Sequence, residues 1–381
     1  MKNVCSNRKF LIFSCIVIFL TVISQTTYFV DLGLSSSVSV LLWGVFGFFT
    51  IIKSGKISLN RNIVIPMGIF AFVFIWILFA SIVNYKYVES NLFFPMIISF
   101  IVMIIGSMCG DLIKTDDLKY LFFAYFIGSL VLALNVFFNN LLGSDIDSVI
   151  YSYSSKNSSG QIVFSGIILA IYLISVNKSK WGKLLYLIAI IYLLYVLLMM
   201  KSRSIIIMIP IVAIIMLFAS GIKSSVKWPL FIIISIIALL LIFNKKFYEF
   251  VFVNVLLNNR SEQSLDNISS GRLSQWESFL PLLNESLFFG TGGTYKESVI
   301  MASYLSYGIV LGSLVMYLAL YPIFFAVRLP KKKLVVTIYL LIAVTYVANG
   351  IFEELAPFGP GVKCFLLWFL TGYLSRGTEN V

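Results

Sequence analysis

The sequence lacks histidine altogether and has few charged residues, which make up 12% of its 381 positions. Because histidine is the commonest general base and the commonest metal ligand, its absence removes the usual candidate for both roles. The four cysteines (Cys5, Cys15, Cys109 and Cys364) show no paired spacing, so we expect no structural disulfide. We also expect no metal and no cofactor, and any chemistry must use Asp, Glu, Arg, Lys, Tyr or backbone groups.

Apolar residues are abundant instead. They make up 60% of the chain, and the mean hydropathy is +0.99, whereas a soluble domain averages roughly 45–50% apolar and about 25% charged residues. The basic start precedes an apolar run that is too long for a signal peptide and reads as a retained first span. We therefore predict an all-α, polytopic integral membrane helix bundle, with a single domain over residues 1–381. The twelve candidate spans are residues 10–29, 34–52, 63–83, 91–109, 119–139, 161–176, 183–200, 203–220, 227–243, 301–327, 334–351 and 361–375.

Basic residues are distributed unevenly between alternate loops of this arrangement. With the N-terminus inside, the cytoplasmic segments hold 18 of the 28 Lys and Arg residues but only four of the 16 acids. The positive-inside rule then places both termini in the cytoplasm. The net charge of +12 is therefore an orientation signal, and no basic tract indicates a nucleic-acid partner.

Two outer loops, residues 140–160 and 244–300, are longer than the others, and loops beyond roughly 12–15 residues are usually functional or disordered. The larger loop contains an apolar face at helical spacing. Its residues are Trp276, Phe279, Leu280, Leu283 and Leu287. We predict an amphipathic helix at the outer membrane surface, with Ser269 or Ser270 as N-cap and a kink at Pro281.

Two polar segments of the outer face directly precede apolar runs. Lys156 and Asn157 open the first segment, which is either an ordinary helix start or part of a binding site. Lys201 and Arg203 lie in a minimal loop between two spans. They are either cations that extend to the membrane interface or a site for an anion, which would also meet a helix N-terminus there.

The predicted surface helix carries Arg272 one turn before Trp276, so the two side chains share a face. A guanidinium recognises phosphate in bidentate fashion, and an indole suits either stacking on a sugar ring or the membrane interface. The alternative is an anchor helix with one arginine that extends to the interface.

Three carboxylates, those of Glu297, Glu353 and Glu354, lie nearest the outer face. Each is a candidate general base whose pKa apolar surroundings would raise, and each is equally able to pair with Lys or Arg. The Asp145-x-Asp147 pattern is set aside, because it is short and faces a compartment where nucleotide sugars are not expected. The glycine-rich stretch 290–293 follows no strand and is no nucleotide loop.

In order and spacing, these segments resemble the O-antigen polymerase and O-antigen ligase superfamily. The segments that carry the resemblance are Lys156-Asn157-Ser-Ser-Gly160-Gln161, Ser202-Arg203-Ser204, Ser270-Gly271-Arg272 with Trp276, Phe289-Gly290-Thr-Gly292, Glu297-Ser298 and Tyr307-Gly308-Ile309. The resemblance implies a GT-C-like bundle that acts on undecaprenyl-diphosphate-linked sugars at the periplasmic face of the bacterial inner membrane. The ligase branch relies on a histidine near the position of Glu297-Ser298, so this chain resembles the polymerase (Wzy-type) branch more closely.

The resemblance also implies a mechanism: metal-independent transfer of a growing glycan from one lipid diphosphate to a repeat unit on another. In this hypothesis Arg203 and Arg272 hold the donor diphosphate and stabilise its leaving charge. Glu297, or in second place Glu353, deprotonates the acceptor hydroxyl. The expected substrate-binding residues are Lys156, Asn157, Arg260, Trp276, Tyr295 and Glu353.

The partners implied are the lipid-linked donor and acceptor, the bilayer and a polysaccharide chain-length regulator. The competing functions are an O-antigen ligase and a flippase or other transporter for lipid-linked oligosaccharides. A transporter predicts ionisable residues within the spans, whereas nearly all the charges here fall in predicted loops.

Overall fold

The computed structural model describes residues 8–55, 61–83, 91–141, 156–257, 266, 269, 271–292, 296–330, 333–359 and 364–377. This part of the chain is all-helical and contains no strand, in agreement with the prediction from composition. Its α-helices are α1 Arg8–Ile23, α2 Thr27–Asp31, α3 Ser35–Ser54, α4 Arg61–Val83, α5 Phe93–Leu112, α6 Leu118–Val136, α7 Lys156–Val176, α8 Lys180–Met199, α9 Arg203–Phe218, α10 Ser224–Phe243, α11 Lys245–Tyr248, α12 Arg272–Glu285, α13 Val299–Arg328, α14 Leu334–Asn349 and α15 Phe365–Gly377. Two π-helical segments, Phe137–Leu141 and Glu249–Leu256, continue α6 and α11.

Eight helices among the described residues are long and apolar enough to cross a membrane: α3, α4, α5, α6, α7, α8, α10 and α13. Eight of the twelve predicted spans therefore coincide with helices of spanning length in the part of the chain that the structure describes. The other four predicted positions hold shorter helices, of 16 residues in α1, α9 and α14 and 13 in α15. At 1.5 Å per residue these extend about 24 Å or less, which is short of a bilayer core of roughly 30 Å.

The first predicted span, residues 10–29, is interrupted after Ile23. Polar side chains hold the interruption in place: the hydroxyls of Ser24 and Ser39 are 3.0 Å apart, and the backbone N–H of Thr27 donates to Asn135 Oδ1 at 2.9 Å. The sequence did not predict this break, because the three residues between α1 and α2 are too few to interrupt the apolar run.

The predicted division near residue 201 is confirmed. One helix ends at Met199, the next begins at Arg203, and Lys201 between them has a positive φ of 49°. Lys201 is buried, which differs from a cation that extends to the interface. The turn therefore belongs to the packed interior of the protein.

The α7 helix is the most deeply packed element near this turn. It contacts α6, α8, α9 and α14, and every residue from Ser159 to Ala170 is buried. Gly160 allows the close approach to α9, because a Cβ at this position would lie only 3.2 Å from the Cβ of Ser202. The start of α7 is thereby fixed against the start of α9.

The α13 helix consists of two segments joined at Gly308, where φ is 72° and ψ is −177°. Residues 286–292 pack into this break, and a Cβ at Gly308 would overlap the carbonyl of Phe288. Backbone groups freed by the break are satisfied by this segment, as is required where water is scarce. The bonds run from Thr291 N to Leu305 O (2.7 Å), from Gly292 N to Ser306 O (3.1 Å) and from Ile309 N to Leu287 O (2.8 Å).

The α12 helix is the amphipathic helix predicted within the larger loop. Its N-cap is Gly271, but the hydroxyl of Ser269 accepts a hydrogen bond from the N–H of Leu273 at 3.2 Å; Ser270 lies outside the described residues. The helix continues through Pro281 and buries none of its residues within the protein. Trp276 is 39% exposed, so the apolar face is open to a bilayer or a ligand.

Candidate active site

Polar side chains from three separate parts of the chain meet where α7 and α9 begin and α14 ends. Asn157 connects them: its Oδ1 accepts a hydrogen bond from the Ser202 hydroxyl at 2.9 Å, and its Nδ2 donates to Oε1 of Glu353. The connection is possible because α7 and α9 start at the same level and the turn after α14 reaches the start of α7. We call this end of the bundle the site end.

The second part of the site is an ion pair between Arg272 and Glu297. The Nε of Arg272 lies 2.8 Å from Oε2 of Glu297, and the two side chains are 22% and 28% exposed. The guanidinium also donates to the carbonyl of Phe352 at 3.2 Å and lies 5.8 Å from the centre of its ring. Since Phe352 directly precedes Glu353, the ion pair and the Asn157 cluster adjoin.

Gln275 also contacts the segment that carries Glu297. Its Oε1 accepts a hydrogen bond from the backbone N–H of Glu297 at 3.1 Å. Gln275 lies three residues after Arg272, so one face of α12 fixes both the side chain and the backbone of Glu297. The exposed surface helix is thus anchored to the bundle through the site.

Glu354 is the most buried of the three carboxylates, with 4% of its surface exposed. It accepts a hydrogen bond from Nδ2 of Asn91 at 3.2 Å and one from the backbone of Lys296. Burial raises the pKa of the Glu354 carboxyl to about 7, while these two hydrogen bonds lower it. Glu354 therefore connects the turn after α14 to the segment that carries Glu297.

Helix N-termini add positive potential at the site end. The helices α7, α9 and α13 all begin here, and the backbone N–H of Val299 at the start of α13 donates to the carbonyl of Gly350 at 2.8 Å. Each N-terminus presents the positive end of the helix dipole. Together with the guanidinium of Arg272, they favour a ligand that carries negative charge.

The structure brings together four of the predicted site residues: Asn157, Arg272, Glu297 and Glu353. Arg203 follows Ser202 directly as the first residue of α9, and Trp276 lies one turn beyond Arg272 on α12. Three predicted residues cannot be placed in the site: Arg260, Tyr295 and the side chain of Lys156 lie outside the described part of the chain.

Several site residues were not predicted from the sequence. Phe352 and Gln275 contact the ion pair, and Ser202 bonds Asn157. Phe352 acts through its backbone carbonyl and ring face, which no side-chain motif reveals. Gln275 had a signal, because its spacing of three from Arg272 places it on the same face of an amphipathic helix.

The fold and the site define a multi-span, all-helical membrane protein with a polar site of cations, carboxylates and amides at one end of its bundle. A family described as O-antigen ligase matches residues 188–309, a stretch that includes Arg203, Arg272 and Glu297. Over this stretch, about a third of the chain, the protein is similar to that family. No curated protein matches the chain.

Proposed function

We propose that this protein is a polysaccharide polymerase of the periplasmic face of the bacterial inner membrane. It transfers a growing glycan from undecaprenyl diphosphate to a repeat unit on a second undecaprenyl diphosphate. The observation that carries the proposal is Arg272, a partly exposed cation held by Glu297 and the Phe352 carbonyl beside several helix N-termini. This arrangement suits a diphosphate leaving group, which needs positive charge rather than a strong acid.

In this proposal Arg272 and Arg203 bind the donor diphosphate. The guanidinium of Arg272 has five N–H donors, and its contacts with Glu297 and Phe352 leave donors for a phosphate oxygen. As the bond between the anomeric carbon and the phosphate oxygen breaks, the electron pair leaves with the diphosphate. The two arginines and the helix N-termini stabilise this charge as it develops.

Glu297 accepts the proton of the acceptor hydroxyl, whose oxygen forms the new bond to the anomeric carbon. Its Oε2 lies 2.8 Å from Nε of Arg272, so the proposed base adjoins the cation that binds the diphosphate in this proposal. Glu353 is the second candidate, because it is hydrogen-bonded by the neutral amide of Asn157.

The polymerase is favoured over the ligase because the sequence has no histidine, the residue on which the ligase branch relies. A flippase is disfavoured because its transport path would require ionisable groups within the spans. Here the described ion pair of Arg272 and Glu297 lies at the site end, ahead of α13. Both alternatives remain outcomes of the experiment that follows.

The test is deletion of the gene in its host and complementation with wild type, Arg272→Ala or Arg272→Lys, followed by electrophoresis of the surface glycolipid. We expect a ladder with wild type, single repeats with Arg272→Ala, and a weak ladder with Arg272→Lys, which keeps the charge but loses the planar fork. Polymer stranded on the lipid carrier would indicate a ligase instead, and single units trapped on the inner leaflet would indicate a flippase.

The matched control is Arg376→Ala. Arg376 is also an arginine paired with a carboxylate, that of Asp111, but the pair joins the far ends of α5 and α15. We expect the Arg376→Ala protein to restore the ladder. A full ladder with Arg272→Ala, at wild-type protein level, would contradict the proposed role of Arg272.

A further inference from the structure

Two buried amide side chains near the site have no hydrogen-bond partner among the residues that the structure describes. Gln161 and Asn349 are each 0% exposed, and neither the oxygen nor the nitrogen of either amide is bonded within the described part of the chain. An unpartnered buried amide is costly, and the interior of a membrane protein offers little water to compensate. Four such atoms therefore indicate a polar binding site.

The two amides lie at the same level of the bundle. The helices α7 and α14 run antiparallel, and two hydrogen bonds set their register: Asn157 with Glu353, and Ser165 with the Tyr346 hydroxyl at 3.2 Å. Gln161 lies midway between Asn157 and Ser165, and Asn349 lies between Tyr346 and Glu353. Gln161 lies one helical turn before Ser165, and Asn349, the last residue of α14, lies one turn after Tyr346, so the antiparallel arrangement brings the two amides to the same level.

This level lies directly beneath the charged part of the site. Four residues of helix separate Gln161 from Asn157, a rise of about 6 Å. Asn157 bonds Glu353, which follows Phe352, the residue that contacts Arg272.

The chemistry of the amides selects the class of ligand. Each amide has an NH₂ donor and a carbonyl acceptor and carries no charge. A phosphate offers acceptors without donors and an ammonium offers donors without acceptors, so either would leave half of the four atoms unpaired. A hydroxyl or an acetamido group both donates and accepts, and these are the polar groups of a sugar ring.

We propose that Gln161 and Asn349 form a neutral sugar subsite, which binds hydroxyl or acetamido groups of the sugar that is linked to the diphosphate. This assignment rests on the proposed function, because it takes a lipid-diphosphate-linked glycan as the ligand. It assigns separate roles to the two groups: the arginines bind the diphosphate, and the amide pair binds the sugar next to it.

The experiment compares two ligands on purified protein in detergent: undecaprenyl diphosphate and undecaprenyl diphosphate that carries the repeat unit. Binding is measured by thermal shift for wild type and for the double variant Gln161→Leu/Asn349→Leu. Replacing unpaired polar atoms with apolar groups of similar size is nearly neutral for folding or stabilising, so we expect the variant to fold. The control is Thr345→Val on α14, whose buried hydroxyl already bonds the Leu341 carbonyl.

We expect wild type and Thr345→Val to bind the sugar-bearing lipid at least about tenfold more tightly than the bare lipid, since a few hydrogen bonds of ordinary strength supply that difference. The double variant should bind both lipids alike and keep its affinity for the bare lipid. Equal binding of the two lipids by wild type would overturn the subsite, and so would unchanged discrimination in the double variant. If the double variant unfolds below the wild-type temperature without ligand, the amides stabilise the fold and the assignment fails.

This readout separates the subsite from the proposed function. A ligase also binds a sugar-bearing lipid diphosphate, so loss of discrimination in the double variant would support the subsite even if the glycolipid experiment shows ligation. Conversely, a confirmed sugar subsite would not support the polymerase assignment if polymer accumulates on the lipid carrier.

Discussion

Substitution of Gly308 by alanine tests the break in α13 that brings residues 286–292 to the site. The backbone at Gly308 has φ 72° and ψ −177°, a region that is essentially restricted to glycine and costs other residues about 1–3 kcal/mol. The new Cβ would also overlap the carbonyl of Phe288, and overpacking of this kind costs about 1–3 kcal/mol. Together these terms predict a loss of about 4 kcal/mol in the free energy of unfolding.

The assay is thermal unfolding of purified protein in detergent, followed by tryptophan fluorescence. A loss of this size lowers Tm by about 5 °C in a domain of 381 residues. The matched controls are Gly44→Ala in α3 and Gly68→Ala in α4, where a Cβ would meet nothing within 4 Å. Because alanine is the better helix former by about 1 kcal/mol, we expect the controls to keep or raise Tm.

Loss of the break should also disturb the site, since the segment packed into it connects α12 to Glu297. The Gly308→Ala protein should therefore show reduced glycan polymer even at a temperature where it is still folded. A Tm equal to that of Gly44→Ala, with normal polymer, would refute the inference that residues 286–292 must pack against the break at Gly308.

Three further predictions concern the site itself. Exchange of the ion pair, Arg272→Glu with Glu297→Arg, should recover most of the roughly 1–2 kcal/mol that either single reversal loses, yet yield no polymer, since the guanidinium then lies at the wrong position; polymer from the exchanged protein would make the pair purely structural. Trp276→Ala should leave Tm within about 1 °C because the residue is 39% exposed on a helix that buries nothing, but should raise KM for the lipid-linked substrate, and Trp276→Phe should retain part of the affinity. Burial raises the pKa of Glu354 to about 7, above the value of about 4.3 for an unperturbed glutamate, so its contribution to stability is present at low pH and is lost as pH rises through 7; Glu354→Gln should therefore raise Tm relative to wild type more at pH 8 than at pH 5, and an equal difference at both pH values would contradict this linkage.

Much of the fold could be predicted because apolar runs of bilayer length have few alternatives. The division at Lys201 followed from the same argument, since one continuous helix would be twice the thickness of the membrane. The interruption after Ile23 and the break at Gly308 could not be predicted. Both lie within apolar runs, and both are held by contacts with distant segments that have no local signature.

The sequence predicted that the site residues lie together only through the resemblance to a family. Arg272 and Glu297 were predicted as separate catalytic groups, and their pairing depends on how α12 folds back on the start of α13. The amide pair of Gln161 and Asn349 depends on the register between two helices that lie far apart in the chain. Register of this kind is set by packing, and no pattern within either helix reveals it.

The central claim is that this protein elongates a glycan on its lipid carrier. The most direct measurement incubates purified protein in lipid vesicles with a single substrate, the repeat unit on undecaprenyl diphosphate, and determines the mass of the lipid-linked products. We predict products with two or more repeats from wild type and from Arg376→Ala, and only the starting substrate from Arg272→Ala. Wild-type protein that binds the substrate but forms no product longer than one repeat would contradict the account.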